Sequence, residues 1–221
     1  MTIHHHPDDE LLLALAAGQL SRGAALVVGV HLESCVTCRR TLLQFEAAAG
    51  ALLESIEPVE LAPDALARTL SAIDSLPPTP PARAKAPLPT RRPVLPAGVA
   101  WPRGLEQCQA SGWRWMGPGL RWSRLRLPDD PKAKLFLLRI QHGMNLAWHT
   151  HRGVELTQVL CGAFDDGRGR FGPGDFDAAD ASVHHQPVVQ PGGECICLAS
   201  IEGRVRFDGA LASLLGSAIG M

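Results

Sequence analysis

Pro77, Pro78, Pro80, Pro81, Pro87, Pro89, Pro93 and Pro96 fall within one short stretch, with Arg83, Lys85, Arg91 and Arg92 between them. Each proline lacks an amide donor and fixes its own φ, so neither a helix nor a central strand can run through this stretch. Residues 77–97 therefore read as an extended, semi-rigid linker. It divides the 221-residue chain into an N-terminal part, 1–76, and a C-terminal part, 98–221. Hydrophobic periodicity differs on the two sides, which makes the chain an α+β multidomain protein.

The N-terminal part has the spacing of helices. Asp8, Asp9 and Glu10 suit a helix start, and Leu11, Leu12, Leu13, Leu15 and Ala16 continue it to Gly18. Ser21 is a good cap for a second, long helix expected to run to about Glu54. Leu26, Val27, Val30, Leu42, Phe45, Ala49 and Leu52 recur at helical spacing, so one side of it is expected to be buried. Pro63-Asp64 opens a third amphipathic segment, with Leu66, Leu70 and Ile73 on one face, ending near Leu76. A unit this small has little core of its own, and a structural metal is a common remedy.

Within the long helix stands His31-x3-Cys35-x2-Cys38. On a continuous helix these three positions share one face. An imidazole and two thiols are the ligand set of a structural zinc, one ligand short of a tetrahedron.

After the linker the pattern changes to short alternating strands broken by glycine and proline, such as 119–127, 135–140 and 194–199. Such spacing indicates a sandwich or barrel. The segment 210–219 is apolar and is expected to cover a barrel edge or dock on a neighbour. In the middle of the β region lies Gly143-x5-His149-Thr150-His151-x3-Glu155-x6-Gly162. In an extended chain His149 and His151 point to one side, and Glu155 can return to the same pocket. Two imidazoles and a carboxylate suit zinc, iron, manganese or nickel. His184 and His185 are adjacent, so only one of them should face that pocket.

Composition narrows the function. A hydrophobic content of 46% is ample for a core, and a formal charge of -1 argues against direct nucleic-acid binding. The histidines and acids at 4–10 occupy the place where a secretory leader would need a basic and then an apolar region. No apolar run is long enough for a membrane span. Six cysteines, two of them in the His-x3-Cys-x2-Cys run, point to metal in a reducing compartment, so a cytoplasmic location is expected.

The Gly143–Gly162 run resembles the first motif of the cupin superfamily at every position. Cupins are small jelly-roll β-barrels with ligands at the barrel mouth. The second cupin motif is kept only in part: Gly167-x5-Pro173 is present, but the expected histidine is displaced to His184 or His185 and the following asparagine is absent. The order of helical zinc signature, linker and cupin resembles the ChrR-type anti-sigma factors over essentially the whole chain. That resemblance implies a structural Zn2+ held by His6, His31, Cys35 and Cys38, with His5 as the fallback for His6. It implies a second divalent metal, taken as Zn2+, held by His149, His151, Glu155 and His185.

The same resemblance implies that residues 1–76 form a zinc-binding anti-sigma domain. This domain would bind an extracytoplasmic-function sigma factor one-to-one and block its contact with RNA polymerase. Residues 98–221 would form a sensing cupin that answers singlet oxygen or related oxidants and releases the sigma factor. Neither nucleic acid nor membrane is expected as a partner, and no catalysis. Oxidation-prone side chains near the second site are Cys195, Cys197, Met144 and Trp148, although each is more often plain core, and the two cysteines, at alternate positions on one strand face, suit core packing best. Cys108 and Cys161 have no role that the sequence assigns. The competing readings are a dioxygenase-like cupin enzyme and a small-molecule sensor, each with an accessory helical domain. The N-terminal zinc signature speaks against the enzyme, which has no need of it.

Overall fold

The computed structural model describes residues 2–77 and 92–209; the apolar segment 210–219 and most of the proline stretch lie outside these. Four helices come first: α1 (Asp9–Ala16), α2 (Arg22–Ser34), α3 (Val36–Glu54) and α4 (Ala65–Asp74). Asp8 caps α1 by accepting from the amide of Leu11 at 2.8 Å, and Ser21 caps α2 by accepting from Ala24 at 3.2 Å.

The expected single helix from Ser21 to Glu54 is two helices. Cys35 breaks it, with φ -97° and ψ 106°, and its sulfur then caps α3 by accepting from the Cys38 amide at 3.5 Å. The helical periodicity of 31, 35 and 38 does not survive this break. The three side chains still meet, because an extended Cys35 swings its thiol back over the first turn of α3.

Eleven strands follow: β1 (Gln109–Ala110), β2 (Arg114–Gly117), β3 (Leu120–Arg126), β4 (Leu135–Ile140), β5 (His149–Cys161), β6 (Phe164–Asp165), β7 (Arg170–Phe171), β8 (Phe176–Ala179), β9 (His184–His185), β10 (Val188–Val189) and β11 (Cys195–Phe207). One sheet runs β1-β3-β4-β11-β5-β8, with β2 on β3 and β9 on β5; a second, smaller sheet runs β10-β6-β7. The pairings are antiparallel, as a jelly-roll type of sandwich requires. β5 and β11 pair from Cys161–Ile196 to His149–Phe207, with Gly153 opposite Gly203. A Cβ on either glycine would collide with the facing carbonyl, that of Glu202 or of Arg152. Both have positive φ, +127° and +87°, so this crossing is open to glycine alone.

The helical and β parts share a core. Leu12, Ala24, Val27, Val28, Val30, Cys35 and Cys38 are buried in one cluster with Leu105, Leu125, Leu135, Leu137, Leu156, Phe176 and Leu198. α2 thus lies on the outer face of the large sheet rather than in a free-standing bundle. Glu33, near its end, accepts from the amides of Arg103 at 3.0 Å and Gly104 at 2.7 Å, capping a short 3-10 turn on the barrel side. The end of the proline stretch also joins the barrel: Pro93 is buried, and the Trp113 indole donates to the Val94 carbonyl at 2.9 Å.

The burial expected along α3 holds only at its start. Leu42 and Phe45 are half-buried, but Ala49 is exposed and Leu52 and Leu53 are each 70% exposed. Leu66, Leu70 and Ile73 of α4 do share a face, and that face is exposed as well.

Candidate metal centres

The first centre lies where α2 meets α3. His31 is fully buried and Cys35 and Cys38 nearly so. His6 arrives from the extended N-terminal segment, its Nδ1 3.3 Å from each of the two sulfurs. The His31 Nε2 is 3.3 Å from the Cys38 sulfur. In a tetrahedral zinc site with bonds of 2.0–2.3 Å, neighbouring donor atoms lie roughly 3.5 Å apart, so these residues fit the metal. Burial pushes the Cys38 thiol up to about 12 and the neighbouring Cys35 pushes it the same way. A thiol held up in this way in a dry site needs a cation before it ionises. Burial also holds the His31 ring below its usual pKa, which keeps it a neutral ligand.

His5, the alternative to His6, is engaged elsewhere. Its ring packs on Phe171 at 4.3 Å between centroids, and its Nε2 is 3.2 Å from the Arg170 carbonyl. His6 alone of the pair is grouped with His31, Cys35 and Cys38.

The second centre sits on the inner face of the barrel. His149, His151 and His185 are all buried and their donor atoms converge. Cross-strand register decides between the adjacent histidines: His185 lies opposite His149, and His184 opposite Thr150. His184 is exposed, stacked on Trp148 at 5.0 Å, with its Nε2 3.0 Å from the Asp208 carboxylate. Trp148 therefore lies outside the pocket.

The Nε2 atoms of His149 and His185 are 3.0 Å apart, and those of His151 and His185 are 3.4 Å apart. The His149 Nδ1 donates to the Ala147 carbonyl at 2.8 Å, and the His185 Nδ1 to Asp166 at 2.8 Å. In neutral rings those bonds leave bare lone pairs facing each other, an arrangement that a divalent cation between them relieves. Burial holds His149 down to about 3 and His151 down to about 4, so both are neutral at pH 7. The residues fit a metal here as well.

Glu155 is not among the three converging groups. Its carboxylate faces the other side of the His151 ring, 3.4 Å from Nδ1, and accepts from the Thr157 hydroxyl at 3.2 Å. Burial pushes it up to about 7. It is a neighbour of the cluster.

Spacing did not reveal the groups that hold these ligands. Asp166 is fully buried and tied to Arg168, which also contacts both Asp177 oxygens at 2.9 and 2.8 Å. Asp166, Asp177 and His185 would make a third metal-like set, but the Arg168 guanidinium already supplies its positive charge. The sequence signal that could have found Asp166 is the Asp165-Asp166-Gly167-Arg168 turn inside the partly kept second cupin motif. Cys195 and Cys197 lie side by side in the interior, 3.6 Å apart, packed with Ile140, Val159, Phe164 and Phe171. Met144 borders the same cluster. Cys108 is buried in the shared core, and burial pushes its thiol up to about 11. Cys161 is half-buried.

Residues 103–202 match the family model for the ChrR Cupin-like domain. Over 219 residues the chain is 40% identical to the anti-sigma-E factor ChrR of Cereibacter sphaeroides, covering 97% of both chains. It is also similar to ChrR in the crystal structure of Rhodobacter sphaeroides SigE in complex with the anti-sigma ChrR. That match has 36% identity and a TM-score of 0.68, over 91% of this chain and 100% of the other. The whole chain, helices and barrel together, belongs to the ChrR family of anti-sigma factors.

Proposed function

We propose that this protein binds an extracytoplasmic-function sigma factor one-to-one and withholds it from RNA polymerase, releasing it when the barrel responds to an oxidant such as singlet oxygen. The observation that carries the binding half is the uncovered apolar surface of α3, α4 and their connection. Leu52, Leu53, Ile56, Val59, Leu61, Leu66, Leu70 and Ile73 are all more than half exposed. An apolar surface of this extent in a soluble chain marks a partner site. The relative ChrR is found in complex with SigE, which supports a sigma factor as the occupant.

Zinc bound by His6, His31, Cys35 and Cys38 would supply a closed cross-link with no open coordination position. Those four residues tie the N-terminal segment, the end of α2 and the start of α3 to one point. The direction in which α3 leaves the barrel is thereby set. His149, His151 and His185, with Glu155 alongside, would hold the second metal, taken as zinc. The imidazoles there, and the thiols of Cys195 and Cys197 in the barrel interior, are oxidisable groups suited to a sensor. No helix among the described residues is long and apolar enough to cross a membrane.

The test is co-expression of the full chain with candidate sigma factors, followed by pull-down, metal analysis and transcription assays with and without photosensitised singlet oxygen. A His149→Ala, His185→Ala chain should still inhibit but no longer release. Failure to capture any sigma factor would sink the binding half. Release by that double variant at the wild-type rate would sink the sensing half.

A further inference from the structure

β5 has two faces with different tasks. Its odd-numbered residues His149, His151, Glu155 and Thr157 face the barrel interior. The even-numbered Leu156 and Gln158 face the helices: Leu156 is in the core shared with α2, and Gln158 reaches His31. The Gln158 Oε1 lies 3.0 Å from the His31 Nδ1, and the Gly174 carbonyl, just before β8, lies 3.1 Å from the same nitrogen. The Gln158 amide nitrogen is spent on the Val159 carbonyl at 3.1 Å, which turns its oxygen toward His31. Gln158 is 2% exposed and His31 0%, so water does not compete for these bonds. Phe176 of β8 packs edge-on against the His31 ring, 5.7 Å between centroids.

The barrel holds the other half of the site too. Asp175 accepts from the amides of His4 at 2.6 Å and His5 at 3.0 Å, and the Phe176 amide donates to the His5 carbonyl at 3.0 Å. These bonds dock the segment that delivers His6.

We infer that the barrel is the outer support of the helical metal centre, with Gln158 as the positioning residue that, beside the Gly174 carbonyl, holds the His31 ring and presents its Nε2 to the metal. Two acceptors on Nδ1 allow only the tautomer that carries its proton there, leaving the Nε2 lone pair directed at Cys38. A histidine ligand held in this way is a more basic and better oriented donor, and losing such a partner typically lowers metal affinity about 10–100-fold. The inference rests on the reading of this centre as a zinc site. It adds that β5, which carries two of the inner histidines, also reaches the helical centre through its outer face.

The test uses the full-length protein with cobalt and zinc. Thiolate-to-cobalt charge-transfer absorption reports the His6-His31-Cys35-Cys38 centre, because the three barrel histidines supply no sulfur. Gln158→Leu, close in size and without an acceptor, should lower metal affinity in chelator competition by about 10–100-fold and shift the cobalt bands. Gln158→Glu, which keeps an acceptor oxygen, should stay near the wild-type affinity and spectrum. Equal losses in both variants, or no loss in Gln158→Leu, would overturn the positioning role. Absence of any thiolate band in the wild-type protein would overturn the zinc reading itself, and this inference with it.

Discussion

His149 and His185 face each other across β5 and β9 with their Nε2 atoms 3.0 Å apart. Each has its other ring nitrogen bonded to an acceptor that cannot give up a proton at neutral pH. The lone pairs left facing each other suit a cation, and Asp166 orients half of the pair. Replacing Asp166 by Asn should weaken the second metal about 10–100-fold by removing the charge behind His185. Chelator competition, read as loss of one metal per chain by mass spectrometry, measures it. An unchanged stoichiometry and affinity would show that the Asp166 charge is not needed behind His185.

Cys35→Ser with Cys38→Ser should remove one metal per chain and with it the docking of His6. Serine is itself a good N-cap, so the start of α3 and the helix content should hold, while sigma-factor capture should be lost. Retained capture by a chain shown to lack that metal would refute the structural role.

Leu53→Ser with Leu70→Ser changes residues 70% and 52% exposed. Stability should move by no more than about 0.5 kcal/mol per site, as for other surface changes. Binding to the sigma factor should weaken sharply. Thermal unfolding and pull-down of the same preparation separate the two effects.

Asp175 supplies a pH dependence. Burial opposes its ionisation, but the amides of Gly172, His5 and His4 outweigh that and hold its carboxyl below the usual value. A carboxyl depressed in the folded state contributes stability above its unfolded pKa and loses it as pH falls through the folded one. The N-terminal strap should therefore loosen below about pH 4. Hydrogen exchange at His4 and His5 reads the loosening directly, and Asp175→Asn should show it already at pH 7.

Gly203→Ala places a side chain against the Arg152 carbonyl at a positive φ. The change should destabilise the barrel by about 3 kcal/mol or more, since backbone rather than a side chain must give way. A melting temperature equal to wild type would mean that the β5–β11 crossing is looser than its geometry implies.

Much of this architecture was legible because its chemistry is local. His31-x3-Cys35-x2-Cys38 and His149-x-His151 announce themselves by spacing, and the proline stretch announces the division between helices and strands. What was not legible depends on partners distant in the chain. The break at Cys35 goes unmarked because no glycine or proline interrupts the helical pattern there; the cap made by its own sulfur replaces them. The choice of His185 over His184 required the register with β5. Gln158 reads as one polar residue in a strand, and only the arrival of His31 from the far side of the linker gives it a task. The helical unit, expected to have little core of its own and to lean on a metal, also shares a core with the barrel; the apolar stripe of α2 carries no label for what covers it.

The bare ridge formed by α3 and α4 has a consequence for the life of the free molecule. A surface with so many uncovered leucines and isoleucines is a target for chaperones, proteases and self-association. We expect the unpartnered regulator to be short-lived in the cell. Each release would then be followed by clearance of the inhibitor, and recovery would wait on new synthesis. Pulse-chase turnover of the chain with and without its partner measures this, and equal half-lives would rule it out.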